Sequence, residues 1–300
     1  MSFEVVGIGE VLWDLLPAGP QLGGAPANFA YHARQLGAKA QVITRVGNDE
    51  RGLRVLRRFE EMGIDGGTVQ PDAHLPTGTA RVVLGGDCTP QFTIIEGVAW
   101  DCLALTNDAL KAVQSANAVC FGTLAQRTRP AGLVIQQLVE ATPMTALRVF
   151  DINLRPGHYN WEVIERSLDI ANVLKMNDQE LAILAPRLEL TGTADQMISQ
   201  LAERFEFELV ALTRAERGSL LYRNGSWSEL PGRKMNVADT IGAGDAFTAA
   251  LVSGMLHQFS LVDIHRIATD IASFVCSQPG ATPVLPAHLR AAFVPDCTSV

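Results

Sequence analysis

Residues 239–245, Asp-Thr-Ile-Gly-Ala-Gly-Asp, combine groups that would bind an anion with a group that would accept a proton. The apolar run after them predicts a helix over 243–257, so the glycines fall at or just before a helix N-terminus. Backbone N–H groups there have no partner inside the helix, and the helix dipole is positive at that end. Gly242 and Gly244 carry no Cβ, so a ligand would reach the backbone. The segment predicts an anion hole suited to a phosphoryl group.

Asp245 lies in the first turn of this helix, where its carboxylate would lean over the anion site. Because like charges repel, a carboxylate is a poor choice for binding alone. It suits a reaction in which it accepts the proton of an attacking hydroxyl while the amides hold the transferring group. The alternative is that Asp245 only caps the helix and the glycines only form a loop. That alternative is favoured for a bare Gly-x-Gly-Asp string, so the rest of the chain has to decide.

The elements that would position this segment are predicted from an alternation of strand and helix patterns. Apolar runs predict strands at 3–9, 40–46, 117–121, 147–152, 172–176 and 207–212. Amphipathic patterns predict helices at 49–62, 106–114, 128–141, 160–170, 178–184, 193–204 and 261–277. This alternation predicts an α/β fold with a doubly wound, mostly parallel sheet flanked by helices. We find no linker or internal repeat, and we expect residues 1–300 to form a single domain.

Polar side chains fall at the carboxyl ends of several predicted strands, where ligands bind in such folds. They are Asp14, the Asp-x-Asn-x-Arg segment at 151–155 and the Asn-x-x-Glu segment at 177–180. Each alone is explained more simply as a helix cap or a surface ion pair. Together with residues 239–245 they predict one site, because buried polar groups cost free energy and converge mainly at sites.

Composition and charge exclude several classes of function. The chain has 300 residues, 47% of them hydrophobic, and a net charge of −8, which argues against nucleic acid or an anionic membrane as partner. The five cysteines form no C-x-x-C pair and the six histidines show no metal-ligand spacing. We expect neither a signal peptide nor a membrane span, and a cytoplasmic location. Gly7-x-Gly9 suggests an NAD-dependent dehydrogenase, but the third glycine of that motif is absent and more strand follows.

Two signatures in the chain resemble those of one family. Residues 23–28 (Gly-Gly-Ala-Pro-Ala-Asn) and 239–247 resemble the N-terminal and C-terminal signatures of the ribokinase-like (PfkB-type) carbohydrate kinases. The segments 151–155 and 177–180 also match that family, in the same order, and the resemblance covers nearly the whole chain. In residues 9–14 and 151–155 the chain looks most like bacterial fructokinases. The resemblance implies the ribokinase-like fold, with a small β-sheet lid formed by about 11–22 and 78–98.

The resemblance also implies a role for each matching residue. It assigns catalysis to Asp245 as base and to the anion hole of Gly242, Ala243 and Gly244. It implies that Asp14, Gly24 and Asn28 bind hydroxyls of the sugar, and it leaves open whether Arg155 contacts the substrate or the phosphates. ATP would contact Asn177, Thr213, Gly218 and Gly244, and Mg²⁺ would be placed by Glu180 through water. A monovalent cation site for K⁺ would lie near Asp239, Ile241 and Gly280. The chain has Ala215 where the family usually has glycine, and a bulkier Arg214.

The implied function is ATP-dependent phosphorylation of a sugar hydroxyl, first of all fructose to fructose 6-phosphate. An alternative within the family is a kinase for another sugar or a nucleoside, or for 2-keto-3-deoxygluconate. In that last case Arg155, Arg81 or Arg127 would meet the carboxylate of the acid. A sugar-binding protein without catalysis is a further alternative, but a pure binder has no need of Asp245 as a base. The motifs of P-loop kinases and protein kinases are absent.

The lid generates a prediction about assembly. The segments 11–22 and 78–98, with Trp100 after them, carry more apolar side chains than a small exposed sheet should show to water: Trp13, Leu15, Leu16, Val82, Leu84, Phe92, Ile94, Ile95 and Trp100. Two copies packed lid on lid would bury them, and so would a monomer whose lid folds back on its own main domain. Since symmetric dimers are the commonest soluble assembly, we expect a homodimer. Light scattering should give about 65 kDa, twice the 32.3 kDa of one chain. A protein that stays monomeric with sugar and nucleotide bound contradicts this prediction.

Overall fold

The computed structural model describes residues 2–17, 19–84, 90–233 and 236–294. The strands are β1 (Glu4–Ile8), β2 (Leu12–Leu16), β3 (Gly19–Gly23), β4 (Lys39–Gly47), β5 (Val69–Asp72), β6 (Gly78–Leu84), β7 (Pro90–Ile94), β8 (Ala118–Phe121), β9 (Leu147–Asp151), β10 (Val173–Asn177), β11 (Leu209–Thr213), β12 (Ser219–Arg223) and β13 (Ser226–Leu230). The helices are α1 (Ala25–Gln35), α2 (Glu50–Met62), α3 (Asn107–Ser115), α4 (Arg129–Glu140), α5 (Trp161–Ile170), α6 (Asp178–Arg187), α7 (Ala194–Arg204), α8 (Ala243–Leu256), α9 (Leu261–Cys276) and α10 (Ala287–Arg290).

Nine strands form the central sheet, in the order β13-β12-β11-β10-β9-β8-β1-β4-β5. From β11 to β5 each neighbouring pair is parallel, and β12 and β13 add an antiparallel hairpin at one edge. One apolar cluster packs α3 to α7 on one face, and a second packs α1, α8 and α9 on the other. The predicted doubly wound α/β fold is confirmed. The edge strand β5 was not predicted, because Val-Gln-Pro-Asp has neither an apolar run nor a clear alternation.

The segments 11–22 and 78–98 form a second, four-stranded sheet in the order β3-β2-β6-β7. Two antiparallel hairpins are joined by the parallel pair β2 and β6. The composition of residues 85–90, Gly-Gly-Asp-Cys-Thr-Pro, predicts a hairpin connection, and residues 85–89 of it lie outside the described residues. Closure of this sheet over a ligand stays a prediction.

The small sheet shows less apolar surface than the sequence suggested. Trp13 and Trp100 are buried within the chain. Leu15, Ile94 and Ile95 pack against apolar clusters of the same chain. The side chains of Val82, Leu84 and Phe92 lie outside the described residues. The expectation that Trp13 and Trp100 need a second chain to bury them was therefore wrong, because the central domain buries them.

In the part of the chain that the structure describes, no helix is both long enough and apolar enough to cross a membrane. Cys102, Cys120 and Cys276 are free thiols.

The glycines near the N-terminus are explained by packing. A Cβ on Gly7, in β1, would come within 2.9 Å of the carbonyl carbon of Pro26 in the first turn of α1. We therefore expect Gly7→Ala to lower the free energy of unfolding by about 1–3 kcal/mol, as overpacked sites do. Urea denaturation measures the change. Gly66→Ala is the matched control, since its Cβ would meet only Leu56, at 3.6 Å. Equal midpoints for Gly7→Ala and wild type contradict the packing argument.

Candidate active site

Gly242 is the N-cap residue of α8 with φ 77° and ψ −8°, and no side chain of the described residues caps the helix. That left-handed conformation favours glycine. A Cβ at Gly242 would lie 2.6 Å from the carbonyl oxygen of Ala281. The turn therefore requires glycine, and the first N–H groups of α8 point to a site where an anion would be held. Of the three amides of the predicted anion hole, that of Ala243 donates to the carbonyl of Thr240 at 3.4 Å.

Gly244 has a different neighbour from the one the sequence suggested. A Cβ at Gly244 would lie 3.0 Å from Nζ of Lys175. The backbone of Gly244 has no positive φ. The side of Gly244 on which a Cβ would stand is thus occupied by a lysine of the same chain. A positive charge stands directly behind the predicted anion hole.

Lys175 belongs to a buried polar network that joins three elements. It donates to Oδ1 of Asp151 on the neighbouring strand at 3.0 Å. Thr248 of α8 donates to Oδ2 of the same carboxylate at 2.9 Å. Burial alone would favour the neutral amine, but the carboxylates of Asp151 and Glu180 outweigh it and raise the pKa of Lys175. The lysine therefore stays protonated beside the site.

Asp245 faces the same site from the first turn of α8. Asn28 of α1 donates from Nδ2 to its Oδ2 at 2.8 Å. Burial, and then the nearby charge of Asp151, raise the pKa of Asp245 to about 6, against the opposing effects of Asn28, Lys175 and Arg155. Such a carboxylate is mostly ionised at neutral pH and still basic enough to accept a proton. The structure brings Asp245, Asn28 and the glycines of the anion hole together.

Two further carboxyl groups lie on the side of the small sheet. Burial raises the pKa of Asp14, in β2, to about 6, and Arg155 opposes that shift. Glu10 is buried, and burial raises its pKa to about 7. Its Oε1 accepts from the backbone N–H of Ala25 at 3.3 Å, next to Gly24, the N-cap of α1. The sequence analysis placed Asp14 and Gly24 in the site and missed Glu10.

Arg155 follows β9 and is exposed, with Nη1 donating to Oδ1 of Asn153 at 2.7 Å. Its charge lowers the pKa of Glu10, Asp14 and Asp245, so it acts on the carboxyl groups of this site. Arg127 is placed differently. It pairs with Asp101 at 2.7 Å and donates to the carbonyl of Ile95 at 2.8 Å.

The predicted nucleotide residues lie together on the next strands. Asn177 ends β10, pairs in register with Thr213 at the end of β11 and caps α6. Glu180 is buried and accepts from the backbone N–H groups of Asn177 at 2.7 Å and Leu154 at 2.9 Å. Each carboxylate oxygen keeps a second lone pair. Glu180 thus fits contact with Mg²⁺ through a water better than direct ligation, since Mg²⁺ usually keeps several waters.

The loop from Thr213 to Gly218 has the backbone of a glycine-containing turn. Ala215 adopts φ 50°, which explains why glycine is usual at that position. Arg214 turns toward Glu229, with which it forms an ion pair at 2.7 Å. A Cβ at Gly218 would meet the backbone of Gly232 at 2.6 Å.

The predicted cation residues also converge. The carboxylate of Asp239 accepts from the N–H groups of Ile241 at 3.0 Å and Gly280 at 3.2 Å. Carboxylate oxygens are ligands that suit a hard cation. Behind them the buried His32, whose pKa burial lowers to about 4, lies 2.9 Å from the carbonyl of Ala281 through Nε2. The neutral ring must therefore donate there, and it ties α1 to the turn that packs on Gly242.

The sequence analysis missed Lys175, Thr248, Glu10 and His32. A signal existed for Lys175, which interrupts the apolar strand Val-Leu-Lys-Met-Asn. Buried charges are rare unless they are paired, so the residue pointed to a partner. Thr248 and His32 carried no such signal, because polar residues inside helices are common.

Comparisons with known proteins identify the family and the fold. Residues 20–288 match the model of the pfkB family carbohydrate kinases. A fructokinase of Escherichia coli is 28% identical over 85% of each chain. A sugar kinase of Pyrococcus horikoshii, solved in complex with ATP, is 28% identical with a TM-score of 0.80 over 93% of this chain and 94% of that one. The 2-dehydro-3-deoxygluconokinase of Thermotoga maritima, at 18% identity and TM-score 0.85 over 97% of this chain and 98% of that one, shares the fold. The chain belongs to the pfkB family of carbohydrate kinases, and it is an ATP-dependent kinase.

Proposed function

We propose that the protein transfers the γ-phosphoryl group of ATP to a hydroxyl of a neutral sugar at the N-terminus of α8. Fructose is the first candidate for that sugar. The observation that carries the proposal is the position of Asp245. Its carboxylate, with a pKa of about 6, is held by Asn28 next to a helix N-terminus that no side chain caps. A base beside an anion hole is what phosphoryl transfer to a hydroxyl requires.

Each residue of the site has a role in this proposal. Asp245 takes the proton of the attacking hydroxyl, and Asn28 fixes the orientation of the carboxylate. The backbone amides of Gly242, Ala243 and Gly244 bind the transferring group and neutralise its charge. ATP supplies the phosphoryl group, Mg²⁺ neutralises charge on its phosphates, and Glu180 would hold the ion through water. Asn177, Thr213 and Gly218 would line the nucleotide.

The charges near Asp14 bear on the choice of sugar. The guanidinium of Arg155 acts on the carboxyl groups of Glu10, Asp14 and Asp245, and Asp245 also interacts with the charges of Lys175 and Asp151. A neutral sugar offers hydroxyls to such carboxylates, whereas an acidic sugar would be repelled by them. The name of the Escherichia coli relative supports fructose among the neutral sugars.

Arg155 keeps 2-keto-3-deoxygluconate as a second candidate, because it is an exposed cation that acts on this site. Arg127 gives that candidate less support, since its guanidinium is already paired with Asp101. An ADP-release assay over fructose, ribose, 2-keto-3-deoxygluconate and nucleosides decides between them. Fructose should give the highest kcat/KM, and a higher value for the acid contradicts the charge argument. The K⁺ site, lid closure and the homodimer remain proposals beside this one.

Asp245→Asn tests the reaction. The amide keeps the shape of the side chain but accepts no proton, so we expect turnover to fall by at least about 10²-fold. Calorimetry should show nearly unchanged binding of MgADP, and the unfolding midpoint should not fall. The matched control is Asp263→Asn, an exposed aspartate in the first turn of α9. Wild-type turnover in Asp245→Asn would remove this residue from the mechanism.

Asp14→Ala tests the sugar side. An ionised carboxylate accepts hydroxyls through charge-assisted bonds, so the KM for the sugar should rise by about tenfold or more. The KM for ATP should change little, since Asp14 lies on the small sheet. Asp108→Ala, an exposed position in the first turn of α3, is the control. Equal effects on both KM values would point instead to a structural role for Asp14 in the small sheet.

A further inference from the structure

Lys175 is a charged residue inside the most buried part of the fold. It is 7% exposed, on a strand whose neighbouring residues Leu174 and Met176 are fully buried. Side chains alternate along a strand, so Lys175 shares the face of Val173, which packs in the cluster formed by α8 and α9. The strand register sets Lys175 directly beside Asp151. The sequence therefore directs the ammonium group toward the beginning of α8.

The stability of the fold does not explain this pair. Two charges taken out of water lose hydration that their attraction barely restores, and apolar replacements of similar volume are often neutral or stabilising. Asp151 is 4% exposed and both of its oxygens are bonded, one to Lys175 and the other to Thr248. The network of Lys175, Asp151 and Thr248 therefore does not stabilise the fold, and its place beside the backbone of Gly244 needs another explanation.

We propose that Lys175 is a positioning residue of the phosphoryl transfer. Asp151, which is itself bonded by Thr248, holds the ammonium group of Lys175 next to Gly244. From there its fixed positive charge supports the anion hole and the ionised form of Asp245. This inference rests on the function proposed above for that site. A charge that is already in place when the reaction occurs requires no reorganisation, which is the reason such groups are effective.

The groups around Asp245 give the inference a signed consequence. Asn28 of α1 donates to Asp245, and the charges of Asp151 on β9, Lys175 on β10 and Arg155 after β9 act on it. Its own charge acts on Glu10 after β1 and on the thiol of Cys120 in β8. Lys175 and Asp151 act on Asp245 in opposite directions: the cation favours its ionised form and the anion disfavours it. Since Asp245 accepts a proton only when ionised, kcat/KM should fall as the pH drops through about 6.

The test measures kcat/KM against pH in two single variants and compares the pH at which kcat/KM falls on the acid side, here called the acid limb. Lys175→Met should move the limb to higher pH by about one pH unit, because Asp245 loses a nearby cation. Asp151→Asn should move it to lower pH, because Asp245 loses a nearby anion. A purely structural role predicts no such pair of opposite shifts. Shifts in the same direction, or none, overturn the proposal.

Binding provides a readout that does not depend on turnover. Calorimetry with MgATP and MgADP compares ligands that differ in the group placed at the anion hole. Lys175→Met should weaken the binding of MgATP by about tenfold and that of MgADP much less, because Coulomb attraction falls with distance and ADP lacks the γ-phosphate. Equal losses for both nucleotides, or no loss, contradict a charge that acts at the anion hole.

Lys175→Met leaves Asp151 unpaired and would fold poorly if that cost dominates. The same comparison then uses Asp151→Asn against the double variant Asp151→Asn/Lys175→Met, whose acid limb should lie at the higher pH. Equal limbs overturn the proposal. Arg223→Met is the control, since Arg223 pairs with Glu208 at the amino end of β11, whereas the site lies at the carboxyl ends of the strands. If Asp245→Asn keeps turnover, the mechanism proposed for this site fails; if no sugar is phosphorylated by the wild type, the proposed function fails; if Asp245→Asn loses turnover while the limbs do not move, this inference alone fails.

Discussion

The buried pair of Asp151 and Lys175 is the interaction on which the geometry of the site depends. It lies where β9, β10 and α8 meet, and Thr248 connects it to the helix that carries Asp245. A shift of α8 along the sheet would break the hydrogen bond from Thr248 to Asp151, at a cost of about 1.5–3 kcal/mol for a bond to a charged group. The ion pair therefore fixes β9 relative to β10, and Thr248 ties α8 to that pair.

Packing within the chain accounts for both glycines of the signature. Gly242 must be glycine because it has a positive φ and packs against Ala281. Gly244 must be small because Lys175 lies behind it. A glycine signature read from sequence thus combines two requirements of different origin. One belongs to the turn, and the other belongs to a charge on a distant strand.

The sequence predicted the parts that depend on periodicity. Strand and helix order, the parallel sheet and the edge at which polar residues collect all follow from local patterns, and the structure has them. What it could not predict depends on pairing across the sheet. The exposure assigned to Trp13 and Trp100 was wrong for that reason, because their partners come from distant segments of the chain. Lys175 interrupted an apolar strand visibly, but only the register with Asp151 shows its direction.

The charges of the site also separate into two zones. Near Gly244 the ammonium group of Lys175 is buried beside the carboxylate of Asp151, while near Asp14 the carboxyl groups of Glu10 and Asp14 have raised pKa values that Arg155 opposes. In the proposed function the lysine would act on the phosphoryl group and the carboxyl groups would bind hydroxyls. Asp245 lies between them, and its pKa reflects both. A ligand that is anionic at one end and rich in hydroxyls at the other matches this gradient, so the two substrates of a sugar kinase would be sorted by charge before they meet.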